Sequence, residues 1–402
     1  MLNKAELDTA LSWARNKLFF DMTLPVYVKG LLTPFNIILS LFAATSLSLI
    51  VVRLIFGLGA VTSASQDQPW GLFLSWGLFS GVPLSATGFV LGTAVYILGL
   101  KEYRPVVKNA MLIGFLGYLF AVIFLIIDLG RPWRLTYPMF GAFGTASVLF
   151  LVAWHVALYL SCQFLELSPS IIEWGGWESL HKPAVQMTVV LTILGAILST
   201  LHQSALGALL LLAPAKLHPL WYSPYLPVLF FISAIAAGIC MVIFVTALTK
   251  RFFKAATDSD YLAKVDDITL RLGKGTSFVL LTYIALKFVA LAHGNNWDLL
   301  TTPYGIWFLV ELSIFLVLPW EILVYAIKKN RVGLVQFAAV FTLIGIILNR
   351  FNVSMIALNW QLPEKEFFAW RELLIVVGVV AIEILVYRWI VNRLPILRGH
   401  SE

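Results

Sequence analysis

Charge is scarce in this chain. Only 12% of its 402 residues are Asp, Glu, Lys or Arg, about half the share of an ordinary soluble domain, which excludes a water-soluble fold. Cysteine is nearly absent. Cys162 and Cys240 lie in apolar stretches, outside any CxxC or Cys/His spacing, so no thiolate cluster, zinc site or other metal site is expected. Short strands of alternating polarity, the mark of an outer-membrane barrel, are missing. So is a cleavable signal peptide. Residues 1–20 instead interleave Leu7, Leu11, Trp13, Leu18 and Phe19 with charges, the pattern of an interfacial helix.

Long hydrophobic runs are what the chain does have. Sixty per cent of its residues are hydrophobic, the mean hydropathy is +0.89, and several runs exceed the ~20 residues that cross a bilayer. The expected fold is all-α: a polytopic membrane protein with ten spans, near 32–57, 70–100, 105–128, 138–165, 183–213, 225–250, 266–293, 303–326, 332–359 and 370–394. Trp70, Trp133, Tyr137, Trp221, Trp297 and Trp370 fall at span ends, as in an aromatic belt.

Ten spans put both termini on one side. That side collects 20 of the 28 Lys and Arg residues, against five on the other; Arg53, Lys287 and Arg350 lie within spans. The positive-inside rule then places both termini in the cytoplasm, with the chain in the inner membrane. The pI near 9.3 comes from these loop residues and does not signal a nucleic-acid partner; the surroundings are lipid.

Polar residues inside the spans are costly and carry the functional argument. Asp128 closes the third span in Asp128-Leu129-Gly130-Arg131, and Leu201-His202-Gln203-Ser204 interrupts the fifth. The orientation puts both, with Trp76 of the second span, near the outer face. Small residues that favour helix contact share their phase: Gly114 and Ala121 with Asp128, Gly195 and Ser199 with His202, and Gly77, Gly81 and Ser85 on the second span. The fourth span carries a stripe of Gly144, Ser147, Leu151, His155, Cys162 and Glu166 leading toward the cytoplasm. The second half holds Lys287, Glu311, Arg350, Glu372 and Glu383. Lys287 and Arg350 are expected to pair with Glu311 and a glutamate of the tenth span.

Arg53-Leu54-Ile55-Phe56-Gly57-Leu58-Gly59, Pro69-Trp70-Gly71, Asp128-Leu129-Gly130-Arg131, Leu201-His202-Gln203-Ser204, His218-Pro219-Leu220-Trp221 and the run from Glu372 to Glu383 together resemble the NrfD/polysulfide-reductase membrane subunits, most of all the HybB-type subunits of uptake hydrogenases. The likeness covers nearly the whole chain with motif order kept. It implies an interfacial segment (1–31), a first span and outer loop (32–69), two four-helix bundles (70–213 and 214–359), and a last span with a cytoplasmic tail (360–402). It also implies a quinone site in the outer half of the first bundle, with menaquinone the favoured type and no haem or cluster held by the chain. A ferredoxin-like iron–sulfur subunit would dock on the outer, periplasmic face and exchange electrons with the quinone. Further catalytic subunits would be a hydrogenase, a molybdoenzyme or a multihaem cytochrome. Two departures stand out: Ser75-Trp76-Gly77 occupies a place where many relatives have an acid, and Leu151 aligns with an acid of HybB-type members.

Quinone chemistry needs hydrogen-bond partners for two oxygens, one of them titratable. His202 suits that role and Asp128 could orient it or relay protons. Trp76, Arg131, Tyr137, Gln203 and Ser204 are the candidate quinone contacts. His155, Glu166, Lys287, Glu311, Arg350, Glu372 and Glu383 are candidate steps on a proton path, which Leu151 would interrupt on the inward side. The bland alternatives are a backbone-satisfied His202, an Asp128 that caps its helix or pairs with Arg131, and a purely structural charge network in the second half. Two other classes remain open. A di-haem cytochrome b anchor needs paired histidines at matching depth, and His155 and His202 differ in depth. A proton- or ion-translocating transporter would use broken helices, for which Pro83 and Pro319 are hints.

Overall fold

The computed structural model describes residues 4–365 and 368–397, with the side chains of residues 4–10, 255 and 260 left aside; Leu7, in the expected interfacial face, and Arg398, among the inner cations, fall outside the described side chains. Among the described residues, ten helices are long and apolar enough to cross a membrane: Pro34–Phe56, Phe73–Ile97, Lys101–Asp128, Val148–Gly175, Glu178–Leu211, Leu226–Phe252, Tyr261–Gly294, Pro303–Lys328, Val332–Ile356 and Trp370–Val391. Among the described residues the only β pairing is an isolated bridge between Leu217 and Leu358. The N-terminal helix Lys4–Phe19 is followed by a short helix, Leu24–Leu31. We call the side carrying neither terminus the outer face.

The fourth span departs from the sequence expectation by about one-third of its length. It begins at Val148, where Ser147 caps it by accepting from Phe150 N, and runs to Gly175. Gly144 and Ser147 therefore precede the helix. The stretch Arg131-Pro132 to Ser147 holds only a 3-10 turn, Pro132–Arg134, and a one-turn α-helix, Tyr137–Phe140, because its prolines and glycines interrupt any longer helix. Gly176, with φ +78°, closes the helix and turns the chain into the fifth span.

The contacts between spans follow the chain: second on third, third on fourth, fourth on fifth, sixth on seventh, seventh on eighth, eighth on ninth. The sixth span also meets the second, fifth and ninth, so the two halves join along it. The first and tenth spans pack on each other, with Ser46 Oγ donating to Ile375 O at 3.0 Å and Gly378 lying against Ser46 and Phe42. Among the described residues, four stretches are wound as π-helix: Phe73–Ser80, Thr93–Ile97, Ser313–Val317 and Asn352–Ile356. The second span also breaks near Pro83. Ala86 N turns to Pro83 O at 3.2 Å, away from its helical partner, which leaves Val82 O free for another donor. Such interruptions inside a span persist only where neighbouring groups satisfy the backbone.

Candidate quinone site and its surroundings

The Val82 carbonyl leads to a fully buried polar group in the first half. Gln203 Nε2 donates to Val82 O and to the Tyr118 hydroxyl, each at 3.1 Å. Tyr118 O–H in turn meets His202 Nε2, and His202 Nδ1 lies 2.6 Å from Leu198 O. A carbonyl only accepts, so Nδ1 carries the proton and Nε2 accepts from the tyrosine. The i−4 carbonyl thus fixes the tautomer. His202, Gln203 and Tyr118 are all fully buried. Tyr118, Tyr159 and His202 pack ring to ring, with centroids 4.7 Å apart for the two tyrosines and 5.2 and 5.3 Å from the histidine. Ser199 stands beside both phenols.

From this group a buried polar face continues inward along the fourth span through Tyr159, Gln163 and Glu166. Their spacing of four and three keeps them on one helix face, and seven residues of helix carry the row about 10 Å. Gln163 is 1% exposed, and neither of its amide atoms has a hydrogen-bond partner. A Cβ on Gly114 or Gly88 would stand 2.7 or 3.3 Å from its Nε2, so those glycines leave the slot that the amide fills. Glu166 Oε1 accepts from Thr192 Oγ1 at 2.8 Å. The inward face is therefore rotated from the stripe read in the sequence. It runs Val152, Val156, Tyr159, Gln163, Glu166, while Leu151, His155 and Cys162 sit on its half-buried flank. His155 Nδ1 has no hydrogen-bond partner.

The other candidates separate into three places. Asp128 is half-buried at the outer end of the third span. Its charged neighbours are Arg53 and, across the same boundary, Glu372; Arg53 lies 2% exposed and donates to the carbonyls of Ile127 and Leu129 on either side of Asp128. Arg131 and Tyr137 are exposed on the outer loop, where Arg134 sits 5.7 Å over the Tyr137 ring. Trp76 and Ser204 are half-buried.

In the second half, Lys287 Nζ and Glu311 Oε1 form an ion pair at 2.5 Å, 7% and 0% exposed. Glu311 also accepts from Trp221 Nε1 at 2.7 Å, Asn349 Nδ2 at 2.8 Å and Asn352 Nδ2 at 2.5 Å. Arg350 does not reach a glutamate of the tenth span. It donates to Asn349 Oδ1 at 2.8 Å and Ser233 Oγ at 2.6 Å and covers the Phe230 ring at 3.7 Å. The geometry explains the difference: Glu372 sits at the start of the tenth span, where its carboxylate caps the second span, and Ser233, Asn349 and Phe230 O take the two terminal nitrogens of the guanidinium, leaving Nε buried without a partner. Glu383 is half-buried and none of the described hydrogen bonds or ion pairs uses it.

Sequence reasoning missed Tyr118, Tyr159 and Gln163. Tyr118 follows Gly114 by one helical turn, and Tyr159 and Gln163 precede Glu166 on its own face. That periodicity was available in the sequence, but histidine and cysteine drew the stripe to the neighbouring positions.

His218, in the outer loop between the fifth and sixth spans, is caged by aromatic rings. It stacks on Tyr304 at 4.7 Å and meets Trp360 at 4.8 Å and Trp221 at 5.6 Å edge-on. Burial, and then the Lys365 charge, push its pKa down to about 4. Its Nδ1 accepts from Leu220 N at 3.3 Å. A base with a depressed native pKa is protonated first in the unfolded chain. Stability is then full above the unfolded value of about 6.5 and falls as pH drops toward 4. The thermal midpoint of the wild type should fall more steeply over that window than that of His218→Leu; parallel slopes would remove His218 as the cause.

Comparison with known proteins gives a consistent picture. The profile of the family described as Polysulphide reductase, NrfD matches residues 60–359. A protein of Nitratidesulfovibrio vulgaris is 43% identical over 376 residues, 93% of this chain and 97% of its own. The probable Ni/Fe-hydrogenase 2 b-type cytochrome subunit of Escherichia coli is 32% identical, with 87% of this chain and 88% of that protein covered. The integral membrane subunit of menaquinone reductase from Nitratidesulfovibrio vulgaris is 27% identical over 79% of each chain.

Proposed function

The chain belongs to the NrfD polysulphide reductase family, and from that premise we propose that it is the quinone-exchanging membrane subunit of a respiratory oxidoreductase complex. The observation that carries this reading is the His202–Tyr118–Gln203 group. It is a titratable imidazole of fixed tautomer joined to a phenol, enclosed in apolar surroundings, with Gln203 Oε1 and both Gln163 amide atoms buried and unpartnered beside the row. A quinone oxygen gaining or losing a proton needs such a donor–acceptor relay; an unpartnered amide N–H suits a water or a quinone carbonyl, and an unpartnered amide oxygen a water or a quinol hydroxyl. In support, one relative is named as a menaquinone reductase subunit and another as a hydrogenase subunit.

In this account His202 and Tyr118 hold the proton that moves as the quinone is reduced or the quinol oxidised. Gln203 positions the phenol, and the broken second span supplies the adjustable wall. Protons reach the pair along Tyr159, Gln163 and Glu166, from the side of the termini, because that row is buried, polar and continuous with His202; Leu151 lies beside it and does not interrupt it. Asp128 serves the outer end of the third span. An iron–sulfur partner docks on the outer face over Arg131, Trp133 and Tyr137, with a further catalytic subunit beyond it. The termini are cytoplasmic, the membrane is the inner membrane, and spans 2–5 and 6–9 act as two bundles.

Tyr118→Phe keeps the ring packing and removes the relay hydroxyl. Quinone-linked turnover of the purified complex should fall by about 100-fold, the usual range for losing a positioned acid–base group, while electron transfer from the partner subunits to an artificial dye stays at the wild-type rate. Unchanged quinone turnover in assembled Tyr118→Phe would remove this pair from the chemistry.

A further inference from the structure

The outer ends of the second and third spans are held by two charges that come from outside those spans. The third span ends at Asp128 with its terminal carbonyls pointing outward, and the Arg53 guanidinium of the first span donates to Ile127 O and Leu129 O. The second span starts at Phe73, and the Glu372 carboxylate of the tenth span accepts from Leu72 N at 2.5 Å and Phe73 N at 3.2 Å. A cation at a helix C-terminus and an anion at a helix N-terminus each oppose the helix dipole. Arg53 is 2% exposed and Glu372 is 1% exposed, so water screens neither. The first and tenth spans pack on each other, which makes the two charged groups parts of one rigid pair. Gly71 is shaped to this contact, since a Cβ there would run into Glu372 Oε1. The second oxygen, Oε2, is buried with no hydrogen-bond partner, and the carboxylate is shared between the second-span amides and the backbone of Ala369 at the start of its own span.

We infer that Arg53 and Glu372 are paired positioning residues for the quinone site. The first and tenth spans clamp the ends of two antiparallel helices at one membrane boundary and set their relative height. Those helices carry Trp76, Val82 and Tyr118. A shift of either one misaligns the Val82–Gln203–Tyr118–His202 chain, where an ångström of misplacement costs large factors in rate. The inference rests on the quinone reading for its kinetic consequence, but the clamp itself has a separate readout.

The test uses the purified complex carrying Glu372→Ala, Glu372→Gln or Gly71→Ala. Glutamine keeps an acceptor oxygen for the two amides; Gly71→Ala displaces the carboxylate without deleting it and serves if Glu372→Ala fails to assemble. Two quantities are measured: amide hydrogen exchange of the segment 70–80, and KM and kcat with a short-chain menaquinol or menaquinone analogue. Glu372→Ala and Gly71→Ala should speed exchange at 72–76 and raise the quinone KM by about tenfold or more at nearly constant dye-linked activity, and Glu372→Gln should restore most of both. Exchange unchanged in both displacing variants, or exchange raised with KM unaltered, would overturn the inference. Absence of any quinone-linked turnover in the wild-type complex would instead overturn the proposed function, leaving the exchange result to judge the clamp.

Discussion

Lys287→Met should leave little assembled protein. The side chain is 7% exposed and its partner Glu311 is fully buried, so methionine strands a carboxylate that Trp221, Asn349 and Asn352 still surround. Breaking a buried pair from one side costs roughly 3–5 kcal/mol, a large fraction of the stability of any domain. Three neutral donors around Glu311 soften the loss but do not replace the cation. Both Glu311 oxygens are hydrogen-bonded, and the network joins the outer loop through Trp221 to the seventh, eighth and ninth spans, and therefore reads as structural. Turnover per assembled complex should stay near the wild-type level while the amount of complex falls several-fold. The measurement is complex per membrane protein together with specific activity. Normal assembly with lost turnover would place these charges in the proton chemistry instead.

His202→Ala has the other large effect. It removes the acceptor for the Tyr118 hydroxyl and leaves a void among Tyr118, Tyr159 and Leu198. The chemical consequence exceeds the structural one, because the imidazole is the one group of the relay whose ordinary pKa lies near neutrality. Quinone-linked turnover per assembled complex should fall by about 1,000-fold or more, the upper part of the range for a general acid–base group. His155→Ala should keep most of the wild-type rate, since His155 stands on the flank of the polar row and not in it. Equal losses in the two variants would show that the row runs through His155.

Much of this architecture was legible in the sequence, and the reasons are physical. A bilayer forces every span to satisfy its own backbone, so ten apolar runs announce ten helices, and all but the fourth appear near their expected places among the described residues. His202 and Gln203 were legible because polar side chains are rare inside spans. The fourth-span boundary was not, since Pro138, Gly141 and Gly144 are apolar enough to extend a hydropathy run while unable to sustain a helix. The partner of Arg350 was hidden for a different reason. Sequence gives the charges but not their heights, and Glu372 proved to lie at the outer boundary, where backbone amides of the second span were a closer match than a guanidinium. Tyr118 was missed because a tyrosine in an apolar helix reads as packing until its hydroxyl is seen to meet His202.

The central claim is that quinone reacts beside His202 and Tyr118, and labelling with a photoreactive menaquinone analogue tests it most directly. The purified complex would be irradiated with the analogue, digested and mapped by mass spectrometry, with and without excess unlabelled menaquinone. The account predicts competed labels on the segments around Trp76–Ala86, Gly114–Phe124, His155–Gln163 and Ser199–Gly207. Competed labels confined to the sixth to ninth spans, with none on these four segments, would contradict it.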